Sequence, residues 1–256
     1  MLGIYFSATG NSRYASEVFL KELDCTAPIV SIEDKTAAQQ LQKHNDIVFS
    51  YPVQYSAVPK FVSDFIKKTA PLWHGKRVFV IATMAMFSGD GAGVLARLLE
   101  KQGAVITGGL HLQMPDSIAD ERVLKRTFEK NKKLVEKARA KAIKAARSIK
   151  SGGRYPQQGL GVLPRFAGFI TQRLWFGHRT LKYYSGGLGI DTERCVGCGK
   201  CARICPTHNI VMKGKTAASG SRCTVCYRCV NSCPGQAITL LGKEVIEQTA
   251  IEKYTS

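Results

Sequence analysis

Eight cysteines stand in two runs, CVGCGKCARICP at 195–206 and CTVCYRCVNSCP at 223–234, and both runs have the spacing C-x2-C-x2-C-x3-C-P. The second run starts 28 residues after the first, and the tails THNIVM and GQAITL extend the likeness into an internal repeat. The nine cysteines of the chain would suggest disulfides in a small secreted domain. The N-terminus, however, lacks the basic, apolar and small-residue series of a signal peptide, so a cytoplasmic protein is expected. In that compartment clustered thiolates point to metal. Zinc sites pair two C-x-x-C hooks, whereas each run here sets three cysteines close together and a fourth before a proline. Pro206 and Pro234 then turn the chain away.

The runs resemble those of bacterial two-cluster ferredoxins, in which three thiolates wrap one face of an iron–sulfur cubane and the fourth reaches across to the other cluster. The resemblance implies two 4Fe–4S clusters. Cys195, Cys198, Cys201 and Cys233 would hold one, and Cys223, Cys226, Cys229 and Cys205 the other. Ile204, Ile210, Val230 and Ile238 would keep water from them, which helps set their potentials. Cys25 stands apart and reads as a small buried residue without a role.

At 256 residues the chain can bury one sizeable core and a smaller module. Its first 118 residues alternate two kinds of segment. Short apolar runs fall at 2–6, 28–32, 46–51, 77–83 and 104–113, with helical patterns between them at 12–23, 36–44, 58–68 and 91–102. Continuous apolar strands separated by helices mean an α/β fold with a parallel sheet covered on both faces.

A basic helix is expected over 120–150, with Leu124, Phe128, Val135, Ala138, Ala142, Ala145 and Ile149 on its apolar face. It would reach roughly 45 Å if continuous. Residues 154–190, rich in glycine, aromatics and arginine, read as an ordered connector. The expected division is therefore 1–150, a connector at 151–190, and a cysteine module at 191–256.

The first strand ends in Ser7-Ala8-Thr9-Gly10-Asn11-Ser12, just before a helix. Hydroxyls of Ser7, Thr9 and Ser12, the Asn11 amide and the free N–H groups of a helix start can hold a phosphate without lysine, and Gly10 lets the backbone approach. The Walker and dinucleotide patterns are both absent from this loop. SATGNS resembles the phosphate loop of flavodoxins, S/T-x-T-G-x-S/T. The resemblance implies FMN and a doubly wound five-stranded parallel sheet, with the flavin at the carboxyl ends of the strands. The loops after the third and fourth strands would then hold the ring. They offer Pro52, Val53, Gln54 and Tyr55 on one side, with Tyr55 stacking. On the other side, Thr83, Met84, Ala85, Met86, Phe87, Ser88 and Gly89 would meet its polar edge. MPDS at 114–117 ends the fifth strand on the same side.

Taken together, the chain resembles flavodoxin–ferredoxin fusion proteins: a flavodoxin-like FMN domain followed by a small α+β ferredoxin-like domain carrying two 4Fe–4S clusters. In the fusion family the residue after Pro-Val is often tyrosine, whereas here it is Gln54. The resemblance implies an electron-transfer protein of anaerobic metabolism that relays electrons between clusters and FMN. A flavin-dependent reductase acting on a quinone or activated alkene is the competing reading.

Charge bears on partners. Residues 119–190 hold 17 basic and 4 acidic side chains, so most of the net +18 lies mid-chain. Bound cofactors would reduce it to about +12, which favours acidic redox partner proteins. Nucleic acid is disfavoured, because the basic helix lacks a reading motif and interleaved aromatics. Phe166, Phe169, Trp175, Phe176, Tyr183 and Tyr184, set among arginines, fit peripheral contact with a membrane surface.

Overall fold

Each of the five apolar runs forms a parallel strand, and helices supply the crossovers between them. The computed structural model describes residues 1–86, 89–123, 125–161 and 187–255. The strands are β1 (Leu2–Tyr5), β2 (Ile29–Ser31), β3 (Asp46–Pro52), β4 (Arg77–Met84) and β5 (Val105–Gln113), in the spatial order β2-β1-β3-β4-β5. That is the flavodoxin-like doubly wound order. Register runs straight across the middle of the sheet, with Gly3 beside Val48 and Val48 beside Phe79.

Helices α1 (Asn11–Leu23), α2 (Ala37–Lys43), α3 (Lys60–Lys68) and α4 (Gly91–Glu100) follow the first four strands. The two sheet faces bury separate cores. One gathers Ile4, Phe6, Phe49 and Trp73, the other Phe19, Val48, Phe79 and Leu110.

The basic helix is shorter than its pattern implies. It is α5 (Phe128–Lys150), with 23 residues, and Thr127 caps it by accepting from Lys130 N at 3.4 Å. That gives a length of about 35 Å. The preceding residues are held out of helix by tertiary bonds. Asp120, buried, accepts from the backbone N–H of Leu240 at 2.5 Å and Leu241 at 3.0 Å, and from the Tyr227 hydroxyl at 2.8 Å. Val135, Ala138, Ala142, Ala145 and Ile149 are buried as expected, but Phe128 is half exposed and Leu124 lies outside the described residues. Most of the expected connector, with the aromatic group at 166–184, also lies outside them.

In the C-terminal region β6 (Gly189–Ile190) pairs antiparallel with β9 (Ile238–Thr239), and β7 (Ile210–Lys213) with β8 (Thr216–Ser219). Short helices α6 (Lys200–Ile204) and α7 (Arg228–Ser232) carry the ends of the two cysteine runs, and α8 (Glu252–Thr255) follows. This is a small α+β unit of ferredoxin type.

The two units exchange side chains. Ala119, from the segment after β5, sits in the core of Val230 and Ile238, while Ile251 and Tyr254 from the C-terminal segment sit in the core of Phe19 and Val135. Among the described residues, no helix is long and apolar enough to cross a membrane. Cys25, expected to be buried, is exposed in the turn after α1, where no apolar neighbour covers it.

Candidate functional site

Three features meet at the carboxyl ends of the strands: the loop after β1, the loops after β3 and β4, and the second cysteine run. The loop after β3 is a tight turn in which Gln54 and Ala57 exchange backbone hydrogen bonds of 3.1 and 2.8 Å. Its two central residues, Tyr55 and Ser56, take left-handed φ values of 45° and 59°. Left-handed residues at both central positions are what a two-residue turn of this hand requires, and they cost strain where neither is glycine. The turn aims the Gln54 side chain at the C-terminal unit, where its amide donates to the Val225 carbonyl at 2.8 Å.

A cavity of about 610 Å³ opens beneath this turn, a volume within the range of small-molecule sites. Pro52, Val53, Gln54 and Tyr55 line one side, and Thr83, Met84, Ala85 and Met86 the other. Phe87 and Ser88 lie outside the described residues; Gly89 is buried with φ 60° and does not line the cavity. Asn11 stands at its end, buried, with its amide donating to Pro115 O at 2.9 Å and its Oδ1 without a protein partner. A buried acceptor of this kind is costly unless a ligand donor satisfies it.

The segment Pro115 to Ile118 forms the third wall, and Asp116 there is a buried carboxyl whose pKa burial pushes up. Val225, Tyr227 and Leu241 of the C-terminal unit close the fourth.

A second cavity, about 300 Å³, lies on the other side of the phosphate-type loop and is lined by Ser7, Ala8, Thr9 and Gly10. Arg13 and Arg228 also line it, but each is paired with a carboxylate of the same lining, Arg13 with Glu252 at 2.7 Å and Arg228 with Glu33 at 2.5 Å. The favourable potential therefore comes from the loop's N–H groups, hydroxyls and the start of α1. Arg228 donates to Ser7 O at 2.7 Å. Ser12 is buried below the loop, its hydroxyl 2.7 Å from Thr83 Oγ1 and its N–H donating to Ser7 Oγ at 3.2 Å. It braces the loop against β4. The C-terminal segment covers the loop from outside, Ile251 N donating to Thr9 O at 2.9 Å.

Two further cavities divide the eight cysteines into fours. Cys195, Cys198, Cys201 and Cys233 line one; Cys205, Cys223, Cys226 and Cys229 line the other. Among the described residues no set of three potential ligands is drawn together tightly enough for a single ion. Four cysteine thiols around one cavity supply the ligand set of a 4Fe–4S cluster. Backbone N–H groups already face the sulfurs: Asn209 N to Cys205 at 3.2 Å, Val225 N to Cys223 at 3.4 Å and Ala237 N to Cys233 at 3.4 Å. Such bonds favour thiolate and tune cluster potential. Burial works against the free thiolates, pushing Cys226 up to about 11 and Cys229 higher still, so metal must displace protons there.

The repeat is conformational as well as sequential. Gly197 and Gly199 in the first run have φ of 67° and 66°, and their counterparts Val225 and Tyr227 have 58° and 62°. His208 and Gln236 match in the same way, at 49° and 48°. Each run thus turns around its cavity by the same left-handed steps.

Comparison with known proteins matches each of the two runs. Two 4Fe-4S binding domain families match, one over residues 188–211 and the other over 220–239. No curated protein sequence matches the chain. Among solved structures, two-electron reduced flavodoxin of Megasphaera elsdenii is 24% identical with a TM-score of 0.41, the match covering 45% of this chain and 89% of that one. A flavodoxin from the domain Archaea is 15% identical at TM-score 0.41, with 58% and 97% covered. Flavodoxin 2 from Bacillus cereus is 19% identical at 0.39, with 58% and 97% covered. The strand order, rather than these scores, carries the fold. The chain therefore joins a flavodoxin-like sheet to two 4Fe–4S-binding segments.

Proposed function

We propose that the protein relays electrons between two 4Fe–4S clusters and one FMN, joining one-electron to two-electron chemistry in anaerobic metabolism. The observation that carries the reading is a shared wall: Val225 and Tyr227, inside the second cysteine run, also line the cavity between the loops after β3 and β4. In this reading each four-cysteine set holds one cluster. The loop Ser7 to Gly10, braced by the Arg228 bond to Ser7 O, holds the flavin phosphate through its N–H groups and hydroxyls, and Asn11 orients the ring through its unpaired acceptor. Val53, Tyr55 and Tyr227 keep water from the ring. FMN, when bound, exchanges one or two electrons while each cluster exchanges one. The chain's net charge of +18 suits an acidic protein partner.

The test is oxygen-free purification with flavin, iron and sulfide analysis, followed by stepwise reductive titration. One FMN and about eight irons per chain are expected; colourless protein, or zinc in place of iron, would end the reading.

A second reading has one supporting observation. A cavity of about 260 Å³ shares Met84 and Met86 with the flavin-side loop and is lined by Lys137 and Lys141. A small anionic or quinone-like acceptor would fit there. Rapid turnover of one such molecule by the reduced protein would favour a reductase over a pure carrier.

A further inference from the structure

The two cysteine runs share a backbone but not their surroundings. In the first run the left-handed positions are glycines, and Val196 between them and Cys195 is 67% exposed, as is Cys198 in part. In the second run the same positions carry Val225 and Tyr227, both 2% exposed. A β-branched residue at φ 58° is strained where glycine would not be. The strained residues are also the ones that reach the flavin-side cavity. Cys226 packs against the core of the flavodoxin-like unit, whereas Cys195 and Cys201 pack only against the core of their own.

One residue joins the two sites directly. Val225 accepts a hydrogen bond at its carbonyl from the Gln54 amide at 2.8 Å and donates its own N–H to Cys223 Sγ at 3.4 Å. Gln54 lines the cavity, and Cys223 belongs to the second cysteine set. One residue therefore bonds both the flavin-side wall and a cluster ligand, and this link has no counterpart at the first set among the described residues.

Resting on the relay reading above, we propose that the cluster held by Cys205, Cys223, Cys226 and Cys229 is the flavin's immediate electron partner, coupled to it through Gln54 and Val225. The cluster of Cys195, Cys198, Cys201 and Cys233 is then the remote one. Each transfer oxidises the near cluster by one electron and reduces the flavin by one; the remote cluster re-reduces the near one between two such transfers, and two protons taken from solvent complete a full flavin reduction. Gln54 acts as a positioning residue. By donating to the Val225 carbonyl it holds Val225 in its left-handed turn, with the Val225 N–H directed at Cys223 Sγ.

The experiment uses holoprotein whose FMN and iron content has first been measured, comparing the wild type with Gln54→Leu and Val225→Gly. The first substitution keeps the side-chain bulk without the donor. The second restores the glycine of the first run and relieves strain, so the backbone is retained. Spectroscopically monitored titration should show one cluster potential falling in Gln54→Leu while the other stays in place, because Val225 released from its anchor loosens the N–H bond to Cys223 and so disfavours the more negative, reduced cluster. Flash photoreduction should show cluster-to-flavin transfer slowed several-fold in Gln54→Leu and close to the wild-type rate in Val225→Gly, which keeps both backbone bonds. Unchanged potentials and rate in Gln54→Leu would overturn the route while leaving the relay reading intact, as would an equal shift of both clusters. Protein without FMN, or with zinc, would remove both.

Discussion

Arg228, the first residue of α7, grips Glu33 beyond the end of β2, its Nη1 2.6 Å from Oε1 and its Nη2 2.5 Å from Oε2. The same guanidinium donates to Ser7 O and, at 3.1 Å, to Ile204 O, and lies over the Phe6 ring at 5.4 Å from its centroid. One side chain thus ties the second cysteine run to the phosphate-type loop, the flavodoxin-like core and the first run. Only the planar fork of arginine serves so many acceptors at once. The pair is mostly shielded, with side chains 15% and 26% exposed. Arg228→Lys is expected to destabilise the holoprotein by about 2 kcal/mol, read from the denaturant midpoint. A midpoint equal to that of the wild type would count against this role.

Gly10 has a φ of 88°, and a Cβ there would lie 2.2 Å from Ile251 Cγ2. A Gly10→Ala substitution meets both a left-handed backbone and a filled space. The expected loss is about 2–4 kcal/mol, together with weaker flavin retention. Ile251→Ala should restore part of it by clearing the clash, so the double variant would be less impaired than the two single effects added. Strict additivity in a double-mutant cycle would show that the two residues do not meet.

His111 accepts a hydrogen bond at Nε2 from Ala92 N at 3.0 Å, which requires a neutral ring. Burial, and after it the nearby Lys141 ammonium, lowers its pKa from 6.5 to about 4, against a weaker opposing pull from Asp90. Above pH 6.5 the ring is neutral in both folded and unfolded chains and pH has no effect through it. As pH falls below 6.5 the unfolded chain takes up the proton first, so stability declines until the folded ring protonates near pH 4. Between pH 7 and 5 this residue should remove about 2 kcal/mol. His111→Gln, which keeps an acceptor, is expected to flatten that part of the stability–pH curve. Parallel curves for the two proteins would refute the assignment.

Iron removal should loosen the flavin. The second cysteine set positions Val225 and Tyr227 in the flavin-side wall, and Arg228 beside the phosphate-type loop. Folding of such a small unit is coupled to its metal. Treatment with chelator and oxidant should therefore raise the FMN dissociation constant at least several-fold, measured by recovery of flavin fluorescence. Flavin affinity indifferent to iron would show that the C-terminal unit does not shape the pocket.

The sheet was legible because its strands are buried on both faces and so appear as unbroken apolar runs; β3 retained its place despite Ser50, whose hydroxyl accepts from Ser16 at 2.7 Å. The start of α5 was not legible, since the polar residues from Asp120 onward suit a helix locally and only distant partners hold them out of one. The division of the cysteines into two cavities agrees with their spacing. Arg228 and Ile251 beside the phosphate-type loop were beyond reach, because both lie more than 200 residues along the chain from Ser7 and Gly10. One signal was available and subtle: aligned run against run, Gly197 and Gly199 become Val225 and Tyr227, an exchange no turn requires. It marks the run that faces a neighbour.

Ile251 and Tyr254 complete a core begun by Phe19, so the first unit lacks part of its interior until the ribosome has passed both cysteine runs. A nascent chain with β1 to β5 already threaded out would still present the loop at Gly10 uncovered. Closure of that loop is thereby postponed until after translation of both cysteine runs.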